Sequence, residues 1–262
     1  MFLPQVRGFN QQGTMMNYVW NWGVLWDKTG IGNEIYLHWV LTGLLWLFGI
    51  GAIAWIIAMV LGTLLGIMRT LPHQGLNRVA AAYVTVFRNV PLLIQLFIWY
   101  YVVPNFFPEG LKQWWFFGLA PNTSAMLSAS VGLGLFTAAR ICEQVRTGIQ
   151  ALPKGQSQAA YALGFNTKQV YQEVLLPQAF RTILPPLGSE LTNCFKNASI
   201  ASLVGVSELI SQVKTIAEYT QSNLEIYTYA TFIYMAVNIT LLMLMTRLER
   251  RLRVPGLMSE SK

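Results

Sequence analysis

The chain has 262 residues, 54% hydrophobic and 11% charged, with a mean hydropathy of +0.43 and a formal net charge of +7. Soluble domains carry about a quarter charged residues, so this composition excludes an ordinary water-solvated globule and points to lipid as the solvent. The basic residues lie between apolar runs, which assigns them to orientation in a membrane and argues against a nucleic-acid partner.

The first segment, residues 1–37, is read as extracytoplasmic. It lacks the basic start and apolar run of a signal peptide. Its tryptophans, Trp20, Trp22 and Trp26, suit a membrane–water interface ahead of the first span. No charge lies between Glu34 and Arg69, an interval longer than the roughly 20 residues a crossing helix needs. Within it, Gly62 and Gly66 form a GxxxG spacing that permits close helix contact. A short polar turn follows, residues 69–78.

The second apolar stretch, residues 79–103, is interrupted by Arg88, and Pro91 is expected to bend or break it. Pro104 and Pro108 end it in a loop with Glu109 and Lys112. The third, residues 123–139, gives way to charges, and a long polar segment, residues 140–178, is expected next. The fourth span, residues 183–204, carries Glu190, Asn193 and Lys196. A loop with Glu208, Lys214, Glu218 and Glu225 precedes the fifth span, residues 226–246.

Basic residues crowd alternate loops. Arg69 and Arg78 follow span one; Arg140, Arg146, Lys154, Lys168 and Arg181 follow span three; Arg247, Arg250, Arg251, Arg253 and Lys262 follow span five. The remaining loops hold only Lys112 and Lys214. The positive-inside rule then predicts five spans, the N-terminus outside and the C-terminus in the cytoplasm. The expected fold is an all-α, polytopic membrane helical bundle: a permease domain over residues 38–248 and a cytoplasmic tail over 249–262.

The segment at residues 153–178 falls on the cytoplasmic side. Residues 156–163 form one short helix, stopped at Gly164 by a left-handed turn. Asn166 caps a second helix, with Gln169 three residues on as in a capping box. Val170, Val174 and Leu175 share a face, and Pro177 closes the unit. On these residues alone the unit is either an amphipathic hairpin on the membrane surface or a knob for a cytoplasmic partner.

Gln158-Ala159-Ala160, then Gly164, then Val174-Leu175-Leu176-Pro177 stand at the intervals of the cytoplasmic motif of ABC importer permeases, EAA, three residues, Gly, nine residues, Ile-x-Leu-Pro. Gln158 replaces the usual Glu and Val174 the usual Ile. FRNVPLLIQLF (residues 87–97), LFTAARICEQVRTGIQALPKGQ (135–156) and KNASIASLVGVSEL (196–209) resemble signatures of the polar amino-acid branch. The resemblance extends from about residue 40 to 253 and is greatest to glutamate/aspartate importers; a permease for neutral or basic amino acids is the alternative within the family, and a secondary transporter outside it.

The resemblance implies a type I ABC importer transmembrane domain, paired with a second permease (identical or homologous), with ATP-binding ABC subunits, and with a periplasmic or extracellular amino-acid-binding protein, in a bacterial plasma (inner) membrane. Gln158, Ala159, Ala160, Gly164, Val174, Leu176 and Pro177 would couple it to the ATPase, small alanines permitting close docking. The chain has no GxxxxGK[ST] loop, so ATP and Mg fall to the partner subunit. Two cysteines (Cys142, Cys194) and two histidines (His38, His73), without CxxC or HExxH, give no metal site. No nucleophile–base set marks an enzyme.

Ionisable residues inside a span are functional candidates because lipid makes them costly. Glu190, Asn193 and Lys196 follow one another at i,i+3 and are expected to line one face. Lys196 would attract a substrate carboxylate, or pair with Glu190 or a helix end, or snorkel to water. Arg88 would contact substrate or anchor at the cytoplasmic interface. Glu143 and Arg146 are read as an ordinary surface pair.

Overall fold

A computed structural model describes residues 7–9, 15–30 and 32–252. The expected tail cations Arg253 and Lys262 lie outside them. Two three-residue strands, β1 (Arg7–Phe9) and β2 (Met15–Asn17), pair antiparallel. The other named elements among the described residues are helical. Helix α1 (Tyr36–Met68) has 33 residues, about 50 Å at the helical rise, so it outruns the roughly 30 Å hydrocarbon layer. Then come α2 (Gln74–Asn89), α3 (Leu92–Phe97), α4 (Glu109–Gln113) and α5 (Pro121–Gln150). The hairpin is α6 (Lys154–Ala162) and α7 (Thr167–Gln169), and α8 (Leu176–Ala198), α9 (Leu209–Thr220) and α10 (Asn223–Leu252) complete the bundle.

Three helices, α1, α5 and α10, are each long and apolar enough to cross a membrane; counting two bent pairs as one span each gives five, the expected number. The first of these pairs is the break expected at Pro91, and the second corrects the linear reading. The second span is broken, with 104° between α2 and the Leu92–Phe106 segment. Pro91 lacks an N–H and forces Val90 out of the helical region, to φ −98° and ψ 127°. Buried Gln95 reseals the break: its Nε2 donates to the carbonyls of Phe87 (2.9 Å) and Val90 (2.8 Å). The predicted loop after span four is instead largely α9, turned 53° from the Thr167–Val204 helix at a left-handed Gly205. Glu208 starts α9 by accepting the Ser211 N–H at 3.0 Å and takes a second bond from Tyr234 of α10.

The third helix also departs from expectation. It does not end at the first charges but runs on through Arg140, Glu143 and Arg146 to Gln150. Pro177 does not close the hairpin either. A π-helical stretch, Val170–Leu175, joins α7 to α8, and Pro177 sits in the first turn of α8, where a missing N–H is tolerated. Gln178 Nε2 donates to the carbonyl of Val174 at 3.0 Å.

Helix α1 packs along α5, α8 is flanked by α5 and α10, and α9 lies against α1 and α10. Between membrane helices there is little hydrophobic drive, so close approach and dispersion must hold the pair. Small residues supply it. A Cβ on Gly62 would stand 2.7 Å from Ile141 Cβ and 2.8 Å from the Ala138 carbonyl oxygen; one on Gly66, 2.6 Å from Val145 Cβ. From the other side, Gly134 meets Ile57 and the Ala54 carbonyl at 2.8 and 3.0 Å. The GxxxG spacing is thus used. Both cysteines are buried and free, as packing residues.

The N-terminal segment is tied to the last helix. Glu225, fully buried at the start of α10, accepts from the Tyr18 hydroxyl and from the Asn21 N–H at 2.6 Å. Burial, and then the Glu225 carboxylate, hold the Tyr18 hydroxyl above its ordinary value, so it remains a protonated donor at neutral pH. Trp22 stacks on Trp20 at 5.5 Å and accepts, through its carbonyl, the Tyr229 hydroxyl at 2.6 Å. Trp26 is largely exposed.

A Gly62→Leu substitution is expected to destabilise the purified protein by about 1–3 kcal/mol, seen as a lower unfolding temperature in detergent by tryptophan fluorescence. Gly110→Ala, where an added Cβ meets nothing within 4 Å, is expected to stay within about 0.5 kcal/mol.

Candidate functional site

Two features carry the candidate residues. The first is the hairpin. Helix α6 ends in a paired closure: the Phe165 N–H reaches the Ala160 carbonyl (3.1 Å) and the Gly164 N–H the Tyr161 carbonyl (3.0 Å). This Schellman arrangement needs a left-handed residue, and Gly164 has φ +85°. The capping box forms as predicted: the Gln169 N–H donates to Asn166 Oδ1 (3.0 Å) and the Asn166 N–H to Gln169 Oε1 (2.9 Å). Both turns are therefore fixed by local hydrogen bonds, which sets a definite angle between the two arms.

The motif residues divide by burial. Gln158, Ala159, Gly164 and Pro177 are exposed, whereas Ala160 is buried, and Val174 and Leu176 are half-buried. Of the two alanines, then, only Ala159 presents a small outer surface; Ala160 lets Val170, Tyr171 and Phe165 close beneath it. Sequence reasoning missed Tyr161, near the end of α6, and Leu163, just after it, 47% and 78% exposed, which put large apolar surface at the end of the first arm. The signal available was a pair of large apolar residues just before the stopping glycine. The Tyr171 hydroxyl donates to Thr70 Oγ1 at 3.0 Å, tying the second arm to the turn after α1.

The second feature lies along α5. Arg69, at the end of α1, pairs with Glu143 Oε1, while Arg146 donates to Glu143 Oε2 from Nε (3.0 Å) and Nη2 (2.8 Å). Glu143 and Arg146 are thus no ordinary surface pair but two members of a partly buried triad linking α1 to α5. One turn away, Arg140 Nε approaches Glu190 Oε2 at 3.3 Å, and the Arg140 guanidinium lies over the Phe136 ring at 5.9 Å. Arg88, Phe136, Arg140, Glu143, Gln144 and Glu190 line one cavity of about 410 Å3.

Of the predicted path residues, the structure brings Arg88 and Glu190 to this cavity. Asn193 and Lys196 are not among its lining. Successive i,i+3 steps each turn by about 60°, so Lys196 sits about 120° round from Glu190. Glu190 is accordingly buried, Asn193 half-buried and Lys196 exposed. Glu190 pairs with Arg140, not with Lys196. Arg140 escaped the sequence reading because it was assigned to a polar loop rather than to a continuing helix. Among the described residues no cluster of three or more His, Cys, Asp or Glu could hold a metal.

Residues 58–254 match the family described as binding-protein-dependent transport system inner membrane component. The chain is 42% identical, over 92% of its length and 98% of the relative's, to the glutamate/aspartate import permease protein GltJ of Escherichia coli K12. It is 33% identical to the glutamate/aspartate import permease protein GltK of Escherichia coli O6:H1, over 82% of this chain and 94% of that one. Among solved structures, an amino acid ABC transporter crystallised with histidines superposes with a TM-score of 0.66 at 29% identity, covering 82% of this chain and 95% of that chain.

Asn166→Ala is expected to cost about 1 kcal/mol by removing the side-chain acceptor of the Gln169 N–H in the capping box. Gly164→Val, forced into the left-handed region, should cost more. Both are read as faster limited proteolysis of the hairpin in the purified protein.

Proposed function

The chain belongs to the family of binding-protein-dependent transport system inner membrane components, and we propose that it carries glutamate and aspartate across the membrane as the permease subunit of an ATP-driven importer. The observation that carries this reading is the 42% identity to a glutamate/aspartate import permease over nearly the whole of both chains. The charge of the α5 cavity supports the same substrates. One Escherichia coli strain, O6:H1, has two distinct permease proteins with that substrate name, GltJ and GltK, and this chain matches both. A homologous second permease, rather than a second copy, is therefore the proposed partner.

In the proposed cycle an external binding protein delivers the amino acid, and separate ABC subunits bind and hydrolyse ATP with Mg. The hairpin transmits their closure to the spans. Gln158, Ala159 and the exposed Tyr161 and Leu163 meet the ATPase. Ala160, Gly164 and the capping box keep the two arms rigid, and Val174, Leu176 and Pro177 join the lever directly to α8. Because α7, the π-helical stretch and α8 run on without a break, a push on the hairpin is delivered along the helix that carries Glu190. Arg88 and Glu190 belong to the transport path in this reading, with Asn193 and Lys196 further along the same helix. The loop charges support an N-terminal segment outside and a tail inside.

Two experiments test this. An added Cβ at Gly164 meets nothing, and Asn and Asp both tolerate the left-handed region. In the reconstituted importer, Gly164→Asn is expected to keep transport near that of the parent, while Gly164→Asp places an unpaired charge in the docking face and lowers glutamate transported per ATP about tenfold. Equal transport by the two variants would remove the lever role. For orientation, Lys168→Cys is expected to react with a membrane-impermeant maleimide only in inverted vesicles, and Lys214→Cys only in right-side-out vesicles. The reverse pattern would overturn the topology.

A further inference from the structure

We infer that Arg140 is the residue that selects the substrate by charge, in a site built from Arg140, Arg88 and Glu190 for an amino acid with two carboxylates. This rests on the reading of the chain as an acidic amino-acid permease and adds to it the site and the residue that reads the second carboxylate.

Glu143 borders the cavity, but both its oxygens are taken by Arg69 and Arg146. Arg140 is engaged only at Nε, by Glu190 Oε2, and over one face, by Phe136. Its two terminal nitrogens have no protein hydrogen-bond partner among the described residues, and its side chain is 42% exposed. A guanidinium fixed at Nε and backed by a ring, with its outer fork open, is a preorganised receptor for one carboxylate. Arg88, exposed at the last turn of α2, shares the cavity and likewise has no hydrogen bond or ion pair among the described residues. Glu190 keeps its second oxygen for a cation.

Arg140 and Arg88 face one carboxylate, Glu190, while neighbouring Glu143 is already enclosed by Arg69 and Arg146, so cations outnumber carboxylates around the cavity. A free amino acid with a side-chain carboxylate has one ammonium, two carboxylates and one net negative charge. One carboxylate meets the Arg140 fork, the other Arg88, and the ammonium meets Glu190. A neutral amino acid would leave one guanidinium unmet, and a basic one would set a cation among cations, so the site discriminates by what it leaves unpaired. Nor can this face meet acyl chains: two exposed arginines beside a buried carboxylate are costly in lipid and mark a protein- or water-lined path.

The test is direct binding of labelled glutamate, aspartate and glutamine to the purified permease–ATPase complex without the binding protein, so that the delivery protein's own selectivity does not intervene. Arg140→Gln is expected to weaken glutamate and aspartate about 10- to 100-fold while glutamine changes less than threefold, as loss of a charge-assisted contact predicts. Arg140→Lys keeps the charge but loses the fork, and is expected to fall between. If Arg140 served only to neutralise Glu190, the double variant Arg140→Gln/Glu190→Gln would restore glutamate binding; restoration overturns the proposal, and continued loss in a complex that still co-elutes with its ATPase supports it. Should Arg140→Gln fail to assemble, parent-like glutamate binding by Arg140→Lys overturns the assignment. A parent complex that binds glutamate, with a variant of unchanged glutamate-to-glutamine ratio, sinks this inference alone. A parent complex that prefers a neutral or basic amino acid sinks the substrate reading along with it.

Discussion

Lipid provides no hydrogen-bond partners, and every irregularity in this fold is arranged around that fact. The chain needs breaks: a sharp turn between α2 and α3, a bend before α9, a π-helical stretch feeding α8. Each frees backbone groups that need a partner. At Pro91 the free carbonyls are collected by Gln95 from the following helix. At the start of α9 the free N–H is taken by Glu208, which is itself held by Tyr234. Ahead of α8 the Val174 carbonyl receives Gln178. Polar side chains in these apolar runs are thus the counterparts of particular breaks rather than exceptions to hydrophobicity.

The same economy governs charge. Helix α5 carries its ionisable residues at the C-terminal end of a long apolar stretch, where Arg140 and Glu143 reach other helices. Arg69 and Arg146 enclose Glu143, which fixes the end of α1 against α5 beyond the glycine contacts. Arg140 reaches across to Glu190 on α8. The hairpin hangs from these same three helices, since it follows α5, leads into α8, and is tied by Tyr171 to the turn after α1. The hairpin and the charged cavity are thus attached to the same three helices.

Much of this was legible in the sequence because it is local. Span one, the break at Pro91, the left-handed Gly164 and the Asn166–Gln169 capping box depend on residues within a few positions of one another, and each appears where expected. The GxxxG contact was legible as a possibility of α1, though only the facing Ile141 and Val145 say what it meets. What was misread is what depends on distance in the chain. Charges at Arg140 and Glu143 looked like the start of a loop because their partners, Glu190 and Arg69, lie 50 and 74 residues away. Pro177 looked like a stop because a π-helical turn, which has no simple sequence mark, absorbs it. Glu208 and Glu225 looked like loop acids because nothing nearby announces Tyr234, Tyr18 or the burial that surrounds them.

The tie between the N-terminal segment and α10 has a consequence for how the chain is made. Tyr18 bonds Glu225 across 207 residues, and Trp22 is joined to Tyr229 across the same separation. During synthesis the aromatic segment is available from the outset, while its acceptor enters the membrane only with the final helix. The two can meet only after every intervening span has been threaded, and only if the first and last segments emerge on the same side. Closing this contact is thereby a completion check: a chain truncated before α10, or inserted with one span missing, leaves Tyr18 and Asn21 without their carboxylate.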